Sequence, residues 1–186
     1  MKTPSSKSIT YLALLRGINV GGNNKLPMRD LAEMFVAAKC DNVRTFIQSG
    51  NVIFEATPKI SAHISEIITA QITKRFGHTI PVILRTKEEL ADAVSNNPFL
   101  KTGPNEEMLY VMFLADLPRA DTIAKLDAKR SPPDEFVVRG REIFLRLPNG
   151  GARSKLTNVY FDAKFKTVST ARNWRTVTKL LELMSG

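Results

Sequence analysis

The residues with the most chemical potential fall in two short stretches. The first, Gly17-Ile18-Asn19-Val20-Gly21-Gly22-Asn23-Asn24-Lys25, follows a strand-like apolar run and precedes Pro27, which opens a helical pattern. A loop that joins a strand to a helix N-terminus offers unpaired N–H groups and the positive end of the helix dipole to an anion. Gly21 and Gly22 permit positive φ and close approach of a ligand to the backbone. Arg16 and Lys25 flank the loop with positive charge, and Asn19 adds an amide. The second stretch, Gln48-Ser49-Gly50-Asn51, presents amides and a hydroxyl at a hairpin turn. Arg16, Asn19, Gly21, Gly22, Lys25, Gln48, Ser49 and Asn51 are therefore the candidate ligand-binding set, suited to a small molecule carrying phosphate or carboxylate. The competing reading of both stretches is turn chemistry, in which Asn and Ser side chains satisfy the local backbone.

Secondary candidates lie near the C-terminus. Arg153 and Arg172 carry the charge to meet a phosphate or a carboxylate, and Asn173 suits the N-cap of the last helix. Trp174 matches the apolar stripe of that helix and reads as core.

Much chemistry is excluded by what the sequence lacks. Asn23-Asn24 stand where a P-loop needs Lys and Ser/Thr after Gly22, and there is no GxGxxG. His63, His78 and Cys40 are isolated, so no metal site of recognisable spacing exists and no cofactor is implied. No GxSxG motif appears, Ser49 has no nameable base, and no paired carboxylates accompany the loop. No catalytic residue can be assigned. An enzyme of unrecognised type stays open, because Arg, Asn, Gln and Ser can orient a substrate that brings its own reactivity.

The elements that must position these residues follow from periodicity. Alternation and apolar runs predict strands at residues 9–16, 43–48, 51–56 and 81–85, with helices opening at Pro27 and near Ser61 and the second ending at Gly77. Thr86 with Glu89 three residues on predicts a capped connecting helix to Ser95. The Pro/Gly/Asn-rich segment 96–106 reads as a boundary, after which the order repeats: strands at 108–115, 136–139, 142–147 and 167–170, helices at 118–129 and 154–165, and a final helix. The fold class is α+β, with two consecutive βαββαβ lobes of the ferredoxin-like (α/β plait) type over residues 8–95 and 107–186, and a flexible tail at 1–7. Right-handed crossovers place the third strand between the first and second, and the first strand between the third and fourth. The Gly17–Lys25 loop, the Ser49-Gly50 turn and the Gly77–Ile80 loop then share one end of the sheet. Strand 1 is apolar on both faces, which predicts a sheet covered on both sides, by helices and by the other lobe or a second copy.

Composition bounds the partners. Of 186 residues, 43% are apolar and 24% charged, an ordinary globular balance. No run approaches the length of a membrane span and no signal-peptide pattern opens the chain, so the expected location is cytoplasmic, with no membrane partner. The formal net charge is +9. Residues 119–186 hold 14 Lys+Arg against 7 Asp+Glu, or +7, while residues 1–118 hold 13 against 11, or +2. A basic second half fits an anionic small molecule or, as an alternative, a nucleic acid held by Arg139, Arg141, Arg146 and Arg153. RRM-type RNA binding is not supported, because Gly50-Asn51-Val52-Ile53-Phe54 is not an RNP1 run. The chain is expected to be a monomer or a homodimer.

Three long blocks resemble a known family. Leu14-Leu15-Arg16-Gly17-Ile18-Asn19-Val20-Gly21-Gly22 with Lys25-Leu26-Pro27-Met28, Thr45 to Phe54, and Ala171 to Leu180 are similar to the signatures of the bacterial domain-of-unknown-function family 1697. The resemblance spans essentially the whole chain. It implies paired ferredoxin-like lobes and no established activity.

Overall fold

A computed structural model describes residues 7–103 and 105–186. The expected tail at 1–7 lies, Lys7 apart, outside the described residues. The chain divides into two units, one running to Glu89 and taking in Leu183–Gly186, the other spanning Leu90–Glu182. Each unit contains one four-stranded antiparallel sheet.

The N-terminal unit runs β1 (Ile9–Leu15), α1 (Met28–Ala37), β2 (Asp41–Phe46), β3 (Asn51–Ala56), α2 (Pro58–Phe76) and β4 (Val82–Thr86). Its strand order, β2-β3-β1-β4, is the order that the crossover argument predicts. The strands contribute alternate residues to the core: Tyr11, Ala13 and Leu15 from β1, Val52, Phe54 and Ala56 from β3. The helices contribute residues at helical spacing, Leu31, Met34 and Phe35 from α1 and Ile64, Ile68 and Ile72 from α2. Phe54 stacks on Tyr11 with centroids 5.6 Å apart and meets Phe35 at 5.0 Å. Leu12 and Leu14, on the opposite face of β1, are buried as well. Helix α2 begins at Pro58 rather than near Ser61: Thr57 occupies the N-cap position, and the Ser61 hydroxyl donates back to the Pro58 carbonyl (3.1 Å). Gly77, at φ 73°, ends it.

The connecting helix α3 (Lys87–Ser95) has the expected capping box. Thr86 N–H donates to Glu89 Oε2 (2.8 Å) and Glu89 N–H to Thr86 Oγ1 (3.2 Å).

The C-terminal unit runs β5 (Leu109–Leu114), α4 (Ala120–Ile123), β6 (Glu135–Arg139), β7 (Glu142–Arg146), α5 (Asn158–Phe165), β8 (Ser169–Asn173) and α6 (Trp174–Ser185), whose residues from Leu183 on fall in the N-terminal unit, with strand order β6-β7-β5-β8. Its helices are shorter than their sequence patterns suggest. A helix over 118–129 would need the Asp127 N–H to continue the ladder, but that group donates to the Tyr160 hydroxyl (3.2 Å) and the Asp127 carboxylate turns back to Lys129 N–H (2.9 Å). Helix α5 starts at Asn158, not Ser154, because the Thr157 side chain caps it by accepting from Tyr160 N–H (3.2 Å). The last strand is shifted to Ser169–Asn173 because Thr167 is held outside it, its hydroxyl donating to Asp116 Oδ2 (2.7 Å).

The two units share a register that no repeat in the sequence announces. Leu12 of β1 faces Ile53 and Arg85, and Val111 of β5 faces Phe144 and Arg172. Arg85 and Arg172 thus occupy equivalent places on β4 and β8, at 1% and 8% exposure. Arg85 Nη1 donates to Leu84 O (2.8 Å); Arg172 Nη1 donates to Thr170 Oγ1 and Ala171 O (both 2.8 Å). Burial lowers the Arg172 guanidinium to about 10, still cationic at neutral pH. Among the described residues no helix is long and apolar enough to cross a membrane.

Candidate functional site

The end of β1 delivers the first stretch to the same rim as the hairpin tip. Leu15 N–H donates to Gly50 O (2.8 Å), and Arg16 N–H donates to Pro81 O (3.2 Å) ahead of β4. Three connections far apart in sequence therefore meet at one sheet end, as chain order predicts.

The loop is a small folded object. Val20 and Asn23 form an isolated bridge, with Asn23 N–H on Val20 O (3.0 Å). Gly21 (φ 57°) and Gly22 (φ 80°) occupy the two central positions, the pattern of a type I′ turn. Asn19 (φ 55°) and Asn24 (φ 47°) also take left-handed conformations, which asparagine tolerates better than most residues. Their amides fasten the loop. Asn19 Nδ2 donates to Leu26 O and Gln48 O, and its Oδ1 accepts from Leu26 N–H, all at 2.9 Å. Asn24 Nδ2 donates to Gly17 O (3.0 Å).

The hairpin tip is similarly self-satisfied. Asn51 is fully buried, its Nδ2 donating to Phe46 O (3.1 Å) and Ser49 Oγ (2.9 Å). Gly50 sits at φ 76° under a tight ceiling: a Cβ there would lie 2.6 Å from Leu15 Cβ. Of the sequence-derived candidates, Asn19 and Asn51 hold the rim together, and Ser49 accepts from Asn51. Arg16 is half-buried at the end of β1, while Gly21, Gly22, Lys25 and Gln48 are exposed. A Cβ on Gly17 or Gly22 would meet nothing within 4 Å, so both faces are open to an approaching group. Among the described residues the N–H groups of Gly21 and Gly22 donate to no backbone carbonyl.

One rim residue carried no signal in the sequence. Ile47 lies at φ 48° and is 50% exposed. A β-branched residue in the left-handed region is a genuine outlier, costing about 1–3 kcal/mol. Sequence reading misses it because isoleucine after Thr45-Phe46 reads as continued strand.

The secondary candidates disperse. Arg153 is exposed on a 3₁₀ turn, Gly151–Arg153, whereas Arg172 is buried. Asn173 caps α6, its Oδ1 accepting from Thr176 N–H (2.8 Å). It also lines a cavity of about 500 Å³ with Glu106, Glu107, Tyr110, Arg175 and Thr178.

Cys40 is buried, and desolvation followed by the Asp41 charge pushes its thiol up to about 11, so it is a protonated core residue at neutral pH. Among the described residues no group of three or more His, Cys, Asp or Glu side chains could hold a metal ion.

Comparison with known proteins agrees with this architecture. A solved structure of a conserved bacterial protein from Streptococcus pneumoniae is 21% identical, covers 96% of this chain and 99% of that one, and superposes with a TM-score of 0.74. That likeness speaks to fold alone. No curated protein matches the sequence. The family model described as a protein of unknown function, DUF1697, matches residues 9–144. The chain belongs to the DUF1697 family.

Proposed function

We propose that this protein binds a small ligand carrying a phosphate or carboxylate, at the rim formed by Gly17–Lys25 and residues 47–50. The observation that carries the reading is a comparison within the molecule. In the C-terminal unit Leu114 N–H donates to Arg141 O (2.8 Å) and Ala115 N–H to Val168 O (2.9 Å), the register equivalents of the Leu15 and Arg16 bonds. There the connection from strand to helix is only residues 115–119, and the hairpin turn only residues 140–141. A short connection therefore suffices to close this kind of rim. The longer 16–27 segment sends Ile18 and Leu26 into the core, and beyond that it displays Arg16 in place of Ala115, an open face at Gly22 and an exposed Lys25.

Arg16 and Lys25 supply charge, Gly21 and Gly22 supply backbone donors, and Gln48 supplies an amide. Asn19, Ser49 and Asn51 position the segment that displays them. Such a set binds and orients an anion without a metal or a nucleophile. On this reading the chain is two ferredoxin-like lobes, over 8–95 and 107–186, in a cytoplasmic protein, and the strand orders β2-β3-β1-β4 and β6-β7-β5-β8 support the lobes. The bacterial source of the structural neighbour agrees with a bacterial protein of this kind. Nucleic-acid binding by the basic half has less support. Arg139 donates to Asn96 O (2.9 Å), Arg141 to Ala115 O (3.4 Å), and Arg146 pairs with Glu135 (3.3 Å).

The test is a thermal-shift screen with inorganic phosphate, nucleotides and dicarboxylates. A saturable rise in Tm is expected for one class, lost in Arg16→Ala and weakened in Lys25→Ala. A flat response of the unmodified protein across the panel rejects the reading.

A further inference from the structure

The rim is amphiphilic as well as basic. Val20, at the edge of the I′ turn, is 63% exposed, and Ile47, at the start of the hairpin turn, is 50% exposed. The bond from Asn19 Nδ2 to Gln48 O joins the two segments one residue away from each of them. Two branched aliphatic side chains therefore stand on adjoining segments, between Arg16 and Lys25 in sequence on one side and Gln48 on the other. Scattered exposed aliphatics are ordinary on a protein surface. Ile47 differs because its backbone is strained, at φ 48°. Asn or Gly would occupy that position without the steric conflict, and half of the isoleucine surface remains in water. Neither local conformation nor core burial explains its presence.

We infer that the rim recognises an anion bearing an aliphatic chain, a free alkyl or acyl phosphate or carboxylate. Arg16, Lys25 and the glycine N–H groups hold the head, and Val20 and Ile47 flank the first methylenes of the tail. This rests on the anion-binding reading above and adds the class of ligand.

Calorimetric titration of the full chain separates the two claims. The probes are inorganic phosphate, butyl phosphate and octyl phosphate below its micellar concentration, octanol as a neutral control, and vesicles of anionic phospholipid. Affinity is expected to rise about tenfold or more from phosphate to octyl phosphate, since each methylene removed from water contributes about fourfold. Octanol alone should not bind measurably. Ile47→Asn and Val20→Ser should each remove most of that gain and leave phosphate affinity unchanged. Ile47→Asn should also raise Tm by about 2–4 °C by relieving backbone strain, which shows that the variant is folded. Equal affinity for phosphate and octyl phosphate overturns the inference and leaves the anion site standing. A chain-length gain that survives in the Val20→Ser/Ile47→Asn double variant overturns it too, as does binding to vesicles without binding to monomeric octyl phosphate. Failure of every anion to bind removes both readings together.

Discussion

The N-terminal and C-terminal units solve the same closure problem with different economy. Both hold a central strand between two antiparallel neighbours, both bury an arginine at the same register of the last strand, and both cap the following helix from the residue after that arginine or its neighbour, Thr86 in one and Asn173 in the other. Beyond that they diverge. The N-terminal unit covers its sheet with helices of 10 and 19 residues, whereas the C-terminal unit uses 4 and 8. The N-terminal rim carries a folded glycine-asparagine loop; the C-terminal rim is crossed by a short turn. Shared features mark what the architecture needs. Features found in one unit only are where specialised chemistry would be added without disturbing the fold.

The sharpest way to break this comparison is at the two hairpin residues that accept the same rim hydrogen bond. Gly50→Ala should destabilise the protein by about 3–5 kcal/mol, because its Cβ would collide with Leu15 and the backbone conformation is left-handed. Arg141→Ala, at the corresponding place, should cost under about 1 kcal/mol, since that position already accepts a side chain. Urea unfolding of both variants measures the contrast, and equal losses would show that the Gly50 position is no more constrained than its counterpart.

The next effect concerns Asn19. Replacing it with alanine removes three hydrogen bonds and leaves a strained left-handed backbone, so a loss of about 2–3 kcal/mol is expected. Asn173→Ala removes one cap interaction and should cost about 1 kcal/mol. If Asn19→Ala is as mild as Asn173→Ala, the loop does not depend on its amide clamp.

The last effect is a pH dependence at Cys40, in the N-terminal core. Because the folded thiol of Cys40 titrates above its ordinary value of 9.0, at about 11, its contribution is present at neutral pH and is lost as pH rises from about 9 through 11. Cys40→Ala should lessen the alkaline fall in stability over that window. A denaturation series at pH 7, 9 and 11 checks it, and an unchanged slope would place the loss on other groups.

The local signals in the sequence were legible where one residue type determines one backbone state. Gly77 ends α2, Thr86 and Glu89 cap α3, and the apolar run Val52-Ile53-Phe54 after the Ser49-Gly50 turn gives β3 with its bounds intact. Signals failed where a distant group intervened. Past α4 the Lys125 N–H turns to Thr122 O and the Tyr160 hydroxyl takes the Asp127 N–H, and Thr167 is drawn out of β8 by Asp116. The candidate site divides in the same way. Arg16, Gly21, Gly22 and Lys25 enter the candidate set from type and spacing alone. That the amides of Asn19 and Asn51 are spent on the backbone depends on carbonyls 29 and 5 residues away, at Gln48 and Phe46.

By itself, then, the sequence determined element order, which strands are central, and the meeting of the glycine loop with the hairpin tip, because periodicity and crossover handedness are local or topological constraints. Only the tertiary structure decided which polar groups at that meeting are tied into the rim, that Arg85 and Arg172 share one buried register, and that Ile47 stands strained and half exposed at the rim. Those outcomes depend on contacts between segments whose separation in sequence carries no record of them.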